Sequence, residues 1–146
     1  MSQWTHVAGC IRIDSFPFLD VNIVTELSKS FGNTCQFNDL QYKWDRCNVP
    51  CGSEGSVQYR IVRTGDESSL SWGVIYIWGD LRDYSDQQAI HDWLKSACRE
   101  KMIRSCVVKI DVEYHGSYII YDDDKSNLIM TKLPSAHDDN IPAHDD

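Results

Sequence analysis

The chain has 146 residues, of which 42% are hydrophobic and 11% aromatic, and its formal net charge is −8 at pH 7. This length and composition suit one folded domain and exclude a disordered chain, while the acidic balance disfavours direct binding to nucleic acid, which needs a basic surface. No apolar run approaches the roughly 18 residues of a membrane span, and residues 1–4 do not begin a signal peptide, so we expect a cytoplasmic protein with no membrane association.

The first two predicted elements are a strand and a helix. Apolar residues or glycine occupy every second position from Val7 to Ile13, which is the pattern of a strand with one buried face. Asp20 then stands where a helix N-cap is expected, and apolar residues recur at helical spacing up to Phe31. Gly32 suits the position just after the helix, where a left-handed backbone is common.

Two further strands are predicted at residues 57–63 and 70–78. The second of these is apolar on both faces, which favours a central strand that is covered on both sides. Trp72, Tyr76 and Trp78 share one of its faces. We interpret them as core residues or as a protein-binding patch, because the basic residue that opens the corresponding strand of RNA-recognition modules is missing.

A second helix and two more strands complete the periodic pattern. Ser85 and Gln88 form a predicted capping box, and apolar residues then recur at helical spacing from Ala89 to Ala97. A fourth strand places alternate residues from Cys106 to Tyr114 inward, and an additional strand covers residues 117–121.

The six cysteines are expected to be reduced, since nothing indicates secretion. Cys10, Cys98 and Cys106 are predicted to be small buried apolar residues. Cys47 and Cys51 have the spacing of half a zinc site, but a structural site needs four ligands and no matched second pair is present. We therefore predict no metal and no cofactor.

This order of elements predicts an α+β fold: a ferredoxin-like βαββαβ sandwich, with an antiparallel sheet, two helices on one face and an extra C-terminal strand. Residues 1–121 form the predicted domain, and residues 32–56 form a long insertion within it. Residues 122–146 contain seven Asp and two Lys, a net charge of −5. We expect them to be an acidic, flexible tail.

The insertion is the predicted contact surface for a partner, because long irregular connections in compact domains are often functional. Aromatic residues next to arginine are typical of protein-interface anchors. The alternative is that these aromatics fold back as a small satellite core. The predicted partner-binding residues are Phe37, Tyr42, Trp44 and Arg46.

The end of the insertion is rich in small residues, which favours a loop whose backbone amides bind an anion. The alternative is a tight turn in which Gly52 and Gly55 supply the unusual backbone angles. A nucleophilic role for Cys51 is not supported, because no histidine is brought close to it by the predicted order. The predicted anion-binding residues are Cys51, Gly52, Ser53, Gly55 and Ser56.

No pattern predicts catalysis. Asp80 and Asp83 flank Arg82 in a segment that joins a strand to a helix, and such a segment is more often held by its own Asp–Arg pairing than used for acid–base chemistry. We therefore assign no catalytic residue and predict that the protein is not an enzyme.

Three segments, residues 4–9, 48–56 and 78–84, resemble a group of uncharacterised small proteins encoded by bacteriophages and prophages. The resemblance spans about residues 4–121. It implies a viral gene product in the cytoplasm of the infected bacterial host, and it carries over no catalytic residue. Small acidic phage proteins without an enzymatic signature often bind host macromolecules, including defence nucleases.

The sequence thus predicts a phage accessory protein that binds a host macromolecule, as a host-takeover or anti-defence inhibitor of the anti-CRISPR type. Its partner would be a host protein or a protein–nucleic-acid complex, and homo-oligomerisation stays open. Two alternatives remain: a small protein that sequesters a nucleotide or another anion, and a virion or assembly component.

Overall fold

The structure, a computed structural model, describes residues 2–15, 23–34, 37–38, 43–44, 48–64 and 71–134. Two helices separate three groups of strands along the chain, and two very short strands lie between the first helix and the fourth strand. In chain order the elements are β1 (Trp4–Ser15), α1 (Ile23–Phe31), β2 (Phe37–Asn38), β3 (Lys43–Trp44), β4 (Gln58–Thr64), β5 (Ser71–Arg82), α2 (Gln87–Ala97), β6 (Met102–Val112), β7 (Gly116–Asp122) and β8 (Leu128–Lys132).

Six of the strands form one antiparallel sheet in the order β4-β5-β1-β6-β7-β8, and β2 pairs only with β3. The predicted α+β class is confirmed. The first strand of the chain lies in the middle of the sheet, where β1 pairs with β5 from Trp4 to Ser15 and with β6 from Thr5 to Asp14. The sheet is larger than predicted, because two strands follow β6 instead of one.

The additional strand, β8, lies inside the segment predicted to be a flexible tail, so that prediction is wrong for residues 128–132. β8 pairs with β7 from Leu128 to Lys132, and Leu128 is buried while Met130 packs against the core. The alternation is only five residues long and follows three aspartates, which concealed it in the sequence. Residues 135–146 of the predicted tail lie outside the described residues.

The core lies between one face of the sheet and the two helices. Leu27 and Phe31 of α1 and Ile90 and Leu94 of α2 are fully buried, and they belong to the same apolar cluster as the inward residues of the long strands. Each pair is four residues apart, so both members project from one side of their helix. Burying a side chain of this size contributes about 1.5–3 kcal/mol.

Residues at the helix ends explain where the helices stop and start. α1 ends at Phe31, and Gly32 follows with φ of 90° while its amide donates to the Ser28 carbonyl over 3.0 Å, as predicted for a glycine in this position. The predicted N-cap Asp20 lies outside the described residues. α2 is capped one residue later than predicted: the carboxylate of Asp86, not Ser85, accepts from the Ala89 amide over 3.0 Å.

We expect Asp86→Ala to destabilise the protein by about 1 kcal/mol, because the Ala89 amide then loses its acceptor at the start of α2. Ser85→Ala is the matched control and should change the free energy of unfolding by less than about 0.5 kcal/mol. Urea unfolding of the two variants measures both values. A larger loss for Ser85→Ala than for Asp86→Ala would contradict this assignment of the cap.

Two of the three cysteines predicted to be buried are buried. Cys98 and Cys106 lie in the core, and burial raises the pKa of each thiol to about 12. Cys10 is instead exposed, because it lies on β1 between the inward residues Gly9 and Ile11 and therefore projects from the opposite face. Tyr114, predicted to point inward, is also exposed, in the turn between β6 and β7.

Candidate functional site

The sheet has a second face, opposite the helices, which we call the open face. Residues paired in register on neighbouring antiparallel strands project from the same side, so the strand pairing identifies its members. Three of its residues, Cys10, Tyr76 and Val107, occupy the adjacent strands β1, β5 and β6 in one row. The apolar members of the open face are Val62, Trp72, Val74, Tyr76, Trp78, Ala8, Cys10, Met102, Val107, Ile119, Tyr121 and Ile129.

The open face collects most of the exposed apolar surface that the structure describes. Seven large hydrophobic side chains in the described ranges are between 36% and 73% exposed, and six of them belong to the open face. The seventh is Tyr114, in the turn after β6. Scattered exposed apolar residues are ordinary, but a contiguous group on one face indicates a surface that is used for binding.

One row of the open face crosses the whole sheet. It begins with Arg60 on β4, continues through Tyr76, Cys10 and Val107, and ends with Tyr121 on β7 and Ile129 on β8; this row defines the centre of the open face. Trp72, Tyr76 and Trp78 share one face of β5, as predicted. That face is not core, however, and the prediction that β5 is covered on both sides is wrong for the described residues, since Tyr76 and Trp78 are about half exposed.

Charged residues lie at the two ends of the open face. At one end, which we call the arginine end, Asp14 contacts both Arg12 (3.3 Å) and Arg104 (3.8 Å). The Arg12 guanidinium also lies 4.4 Å from the centroid of the Trp72 ring, a cation–π arrangement. Two positive charges therefore share one negative charge at this end.

The opposite charge predominates at the other end, the aspartate end. Asp80 contacts Nδ1 of His6 over 2.5 Å, and Asp111 contacts Lys109 over 3.4 Å. His6 pairs in register with both aspartates, on β5 and β6. Two negative charges therefore share one lysine and one histidine.

The predicted anion-binding loop is instead held against the end of β5. The Gly52 amide donates to the Gly55 carbonyl and the Ser53 amide donates to the Arg82 carbonyl, each over 2.9 Å. Cys51 and Ser56 form an isolated antiparallel bridge. A nest needs amides that point at the anion, and the amides of Gly52 and Ser53 are already used inside the protein, so they do not form such a nest.

Side chains reinforce this attachment of the loop. Arg82 donates to the Glu54 carboxylate over 2.6 Å, and the Ser53 hydroxyl donates to Asp83 over 2.9 Å. The Arg82 amide also donates to the Glu54 carbonyl. Arg82 and Asp83 do pair, as predicted, at 3.8 Å, but the shortest ion pair of Arg82 is with Glu54. These residues have a structural role that the sequence did not reveal.

The other predicted contact residues lie mostly outside the described part of the chain. Phe37 and Trp44 occupy paired positions on β2 and β3, and nothing is described of their side chains. Tyr42 and Arg46 lie outside the described residues, as does Cys47. Their predicted role stays a prediction.

Burial and hydrogen bonds shift the pKa values of several described side chains. Burial raises the pKa of Tyr84 to about 12, and hydrogen bonds from Gln88 and Asn127 lower the pKa values of Asp92 and Asp123 respectively. Within the described ranges no group of three His, Cys, Asp or Glu residues could hold a metal ion.

The sequence contained a signal for the open face that the strand assignments did not use. Val107 stands at an outward position of β6, and Ile119 and Tyr121 stand at outward positions of β7. A polar residue would be expected there on an ordinary exposed face.

A buried histidine was also missed: Nε2 of His91 lies 2.9 Å from the Leu128 carbonyl and joins α2 to β8.

No helix in the described ranges has the length and apolar character needed to cross a bilayer. Comparison with known proteins yields no match: no family model, no curated protein and no solved structure matches this chain.

Proposed function

We propose that this protein acts by binding another protein, without catalysing a reaction, and that the open face is its contact surface. The observation that carries the proposal is the concentration of six of the seven exposed large hydrophobic side chains on that face. Tyrosine, tryptophan and arginine are the residues that most often anchor protein interfaces. Tyr76, Trp78 and Arg60 lie together on β4 and β5.

The electrostatics of the face support a protein partner over a nucleic acid. Arg12, Arg104 and Lys109 each contact an aspartate, which reduces the positive potential that a phosphate backbone would meet. The whole chain carries a net charge of −8. Binding to single-stranded nucleic acid combines stacking with a basic groove, and in the described residues the open face offers aromatic side chains with Arg60 beside them instead of a continuous basic groove.

The order of the strands supports a more specific description of the fold. β1, α1, β4, β5, α2 and β6 give a strand order of β4-β5-β1-β6, as expected for a ferredoxin-like βαββαβ unit with β7 and β8 added at one edge. In such a unit both helices pack on one face of the sheet. The other face is then available for a partner unless further chain covers it.

The resemblance to phage and prophage proteins supports a more specific role. We infer an accessory protein that acts in the cytoplasm of an infected bacterium and binds a host protein, as a takeover factor or an inhibitor of a defence complex. Under this proposal the insertion residues Phe37, Tyr42, Trp44 and Arg46 stay candidate contact residues for the same partner. The anion-sequestering alternative has less support, since the loop amides of Gly52 and Ser53 are engaged within the protein.

The test is capture of host proteins by the tagged full-length chain, followed by quantitative mass spectrometry. We expect Tyr76→Lys to lower recovery of a stoichiometric partner at least roughly tenfold, because a charge would be placed at the centre of the contact. Tyr114→Lys is the matched control: the same substitution, at an exposed tyrosine outside the open face, should leave recovery unchanged. Equal recovery with all three proteins would contradict the proposal.

A further inference from the structure

We propose that in the free protein the open face is covered by a second copy of this chain, packed face to face about a twofold axis that crosses the strands near Cys10. This inference rests on the proposed function, since it names an occupant of the same contact surface. A later partner would then replace the second copy or bind to the pair.

The size of the open face suits a dimer interface. Five intervals of about 4.8 Å separate the six strands, a width of about 24 Å, and the eight steps between the nine residues from His6 to Asp14 span about 27 Å. The flat area is therefore on the order of 600 Å², and the relief of the side chains makes the accessible area larger. A stable interface typically removes about 800 Å² from each partner.

The shape of the face also suits another sheet. Two sheets pack face to face about 10 Å apart, with strand directions within about 30° of each other. The central strand, β1, presents the small residues Ala8 and Cys10, and larger residues stand beside them on the neighbouring strands: Trp78 and Tyr76 on one side and Val107 on the other. Because the proposed axis places each strand opposite the same strand of the other copy, the space left over the small residues of β1 can be filled by the larger side chains that flank them.

Charge complementarity selects the direction of the axis. A twofold axis along the strands would place the arginine end against the arginine end, which is repulsive. An axis across the strands places the arginine end of each copy against the aspartate end of the other. Because both copies then satisfy the same contacts, the interface is self-complementary, as a twofold dimer requires.

The two charged ends also fix the position of the axis. His6 marks the aspartate end of β1 and Asp14 marks the arginine end, and Cys10 lies midway between them on the same strand. An axis midway between the ends passes through the central row of the open face, and it places Arg60, at the exposed edge of that row, opposite Arg60 of the other copy. The Cys10 thiols of the two copies would therefore face each other, and Asp111 of each copy would face Arg104 of the other.

The first experiment measures the mass of the full chain by sedimentation equilibrium across a concentration series. We expect twice the chain mass of 16.8 kDa, a dissociation constant raised at least roughly 100-fold by Tyr76→Lys, and no change with Tyr114→Lys. A single chain mass at every concentration would overturn the proposal, as would a dimer that Tyr76→Lys does not weaken.

The second experiment tests the axis by exchanging charges. Asp111→Arg and Arg104→Asp should each weaken self-association, because each places like charges opposite one another. An equimolar mixture of the two variants should restore it, since one variant then supplies both arginines and the other both aspartates. No recovery in the mixture would overturn the proposed axis.

A third experiment tests the position of Cys10. A short bismaleimide should link Cys10 of one copy to Cys10 of the other, which peptide mapping of the linked product by mass spectrometry identifies, and Cys10→Ser should remove this link. Linked products that contain no Cys10–Cys10 link would overturn this position.

These results separate the inference from the proposed function. If the chain is monomeric and Tyr76→Lys still abolishes partner capture, the proposed dimer is wrong and the proposed function is retained. If the chain forms a dimer through the open face and Tyr76→Lys leaves capture unaffected, the dimer is retained and the proposed function is wrong. Binding of a labelled single-stranded RNA that Tyr76→Lys abolishes in a monomeric chain would overturn both.

Discussion

Gly55→Ala is expected to destabilise the protein by about 2–6 kcal/mol. The residue has φ of 77°, where an L side chain is strained by about 1–3 kcal/mol. A β-carbon would also lie 1.9 Å from the Asp80 carbonyl oxygen, so the loop and β5 would have to move apart. Such overpacking adds about 1–3 kcal/mol more. Thermal and urea unfolding measure the loss.

Gly116→Ala is the matched control for this prediction. Gly116 also has a positive φ, of 121°, but the closest atom to its added β-carbon belongs to the flexible Lys132 side chain, at 3.1 Å. This variant retains the backbone strain without a backbone collision, so its loss of stability should be clearly smaller. Equal losses in the two variants would show that the packing of the loop against β5 contributes nothing.

The effect of Gly55→Ala also bears on the anion-binding hypothesis. Loss of a bound ligand after substitution at Gly55 would follow from detachment of the loop, whether or not the loop ever bound an anion. Ser53→Ala is a better probe, because the exposed Ser53 hydroxyl donates to Asp83 and its removal introduces no collision. A ligand of the loop should be tested with that variant.

Phe31→Ala is expected to cost about 3–5 kcal/mol, because it leaves a cavity between α1, α2 and the sheet. Phe31 is fully buried, and its ring centroid lies 5.4 Å from that of Tyr59 and 5.5 Å from that of Trp93. The Trp93 indole also donates to the Phe31 carbonyl over 3.1 Å. The substitution therefore loosens two aromatic contacts at once. Urea unfolding should show a much lower midpoint.

Lys29→Ala provides the comparison on the same helix. Its side chain is 72% exposed and makes only a long ion pair, of 3.8 Å, with Glu26. Exposed pairs of this kind contribute little, so the free energy of unfolding should change by less than about 0.5 kcal/mol. A cost for Phe31→Ala below about 1 kcal/mol would mean that the cavity collapses or fills with neighbouring side chains.

The sequence predicted the α+β class and the inward residues of the long strands because alternation and helical spacing are local patterns. From Val7 to Ile13 and from Cys106 to Val112 the inward positions are those in the core, with Gly9 half-buried. The cap of α2 was misplaced by one residue, since Ser85 and Asp86 are both good caps and only the path of the chain decides between them.

The open face was recognised only in part, for a different physical reason. Alternation reports which residues share a side of a strand, but it does not report what covers that side. Aromatic residues such as Tyr76 and Trp78 on β5 occur both on a strand face that is buried in the core and on a strand face that is exposed for a partner. The attachment of residues 52–55 to β5 was also invisible, because it depends mainly on backbone hydrogen bonds, whose partners cannot be identified from the residue types.

The central position of β1 has a consequence for biosynthesis. The Trp4 amide donates to Glu113 across 109 positions of the chain, and β1 receives its second neighbour only when β6 is available. A nascent chain halted before residue 102 would therefore hold an N-terminal strand with one edge unsatisfied, and the domain should mature only after β6 has left the ribosome. Sequence-distant pairing of this kind slows folding, and it leaves the incomplete chain exposed to chaperones and to aggregation.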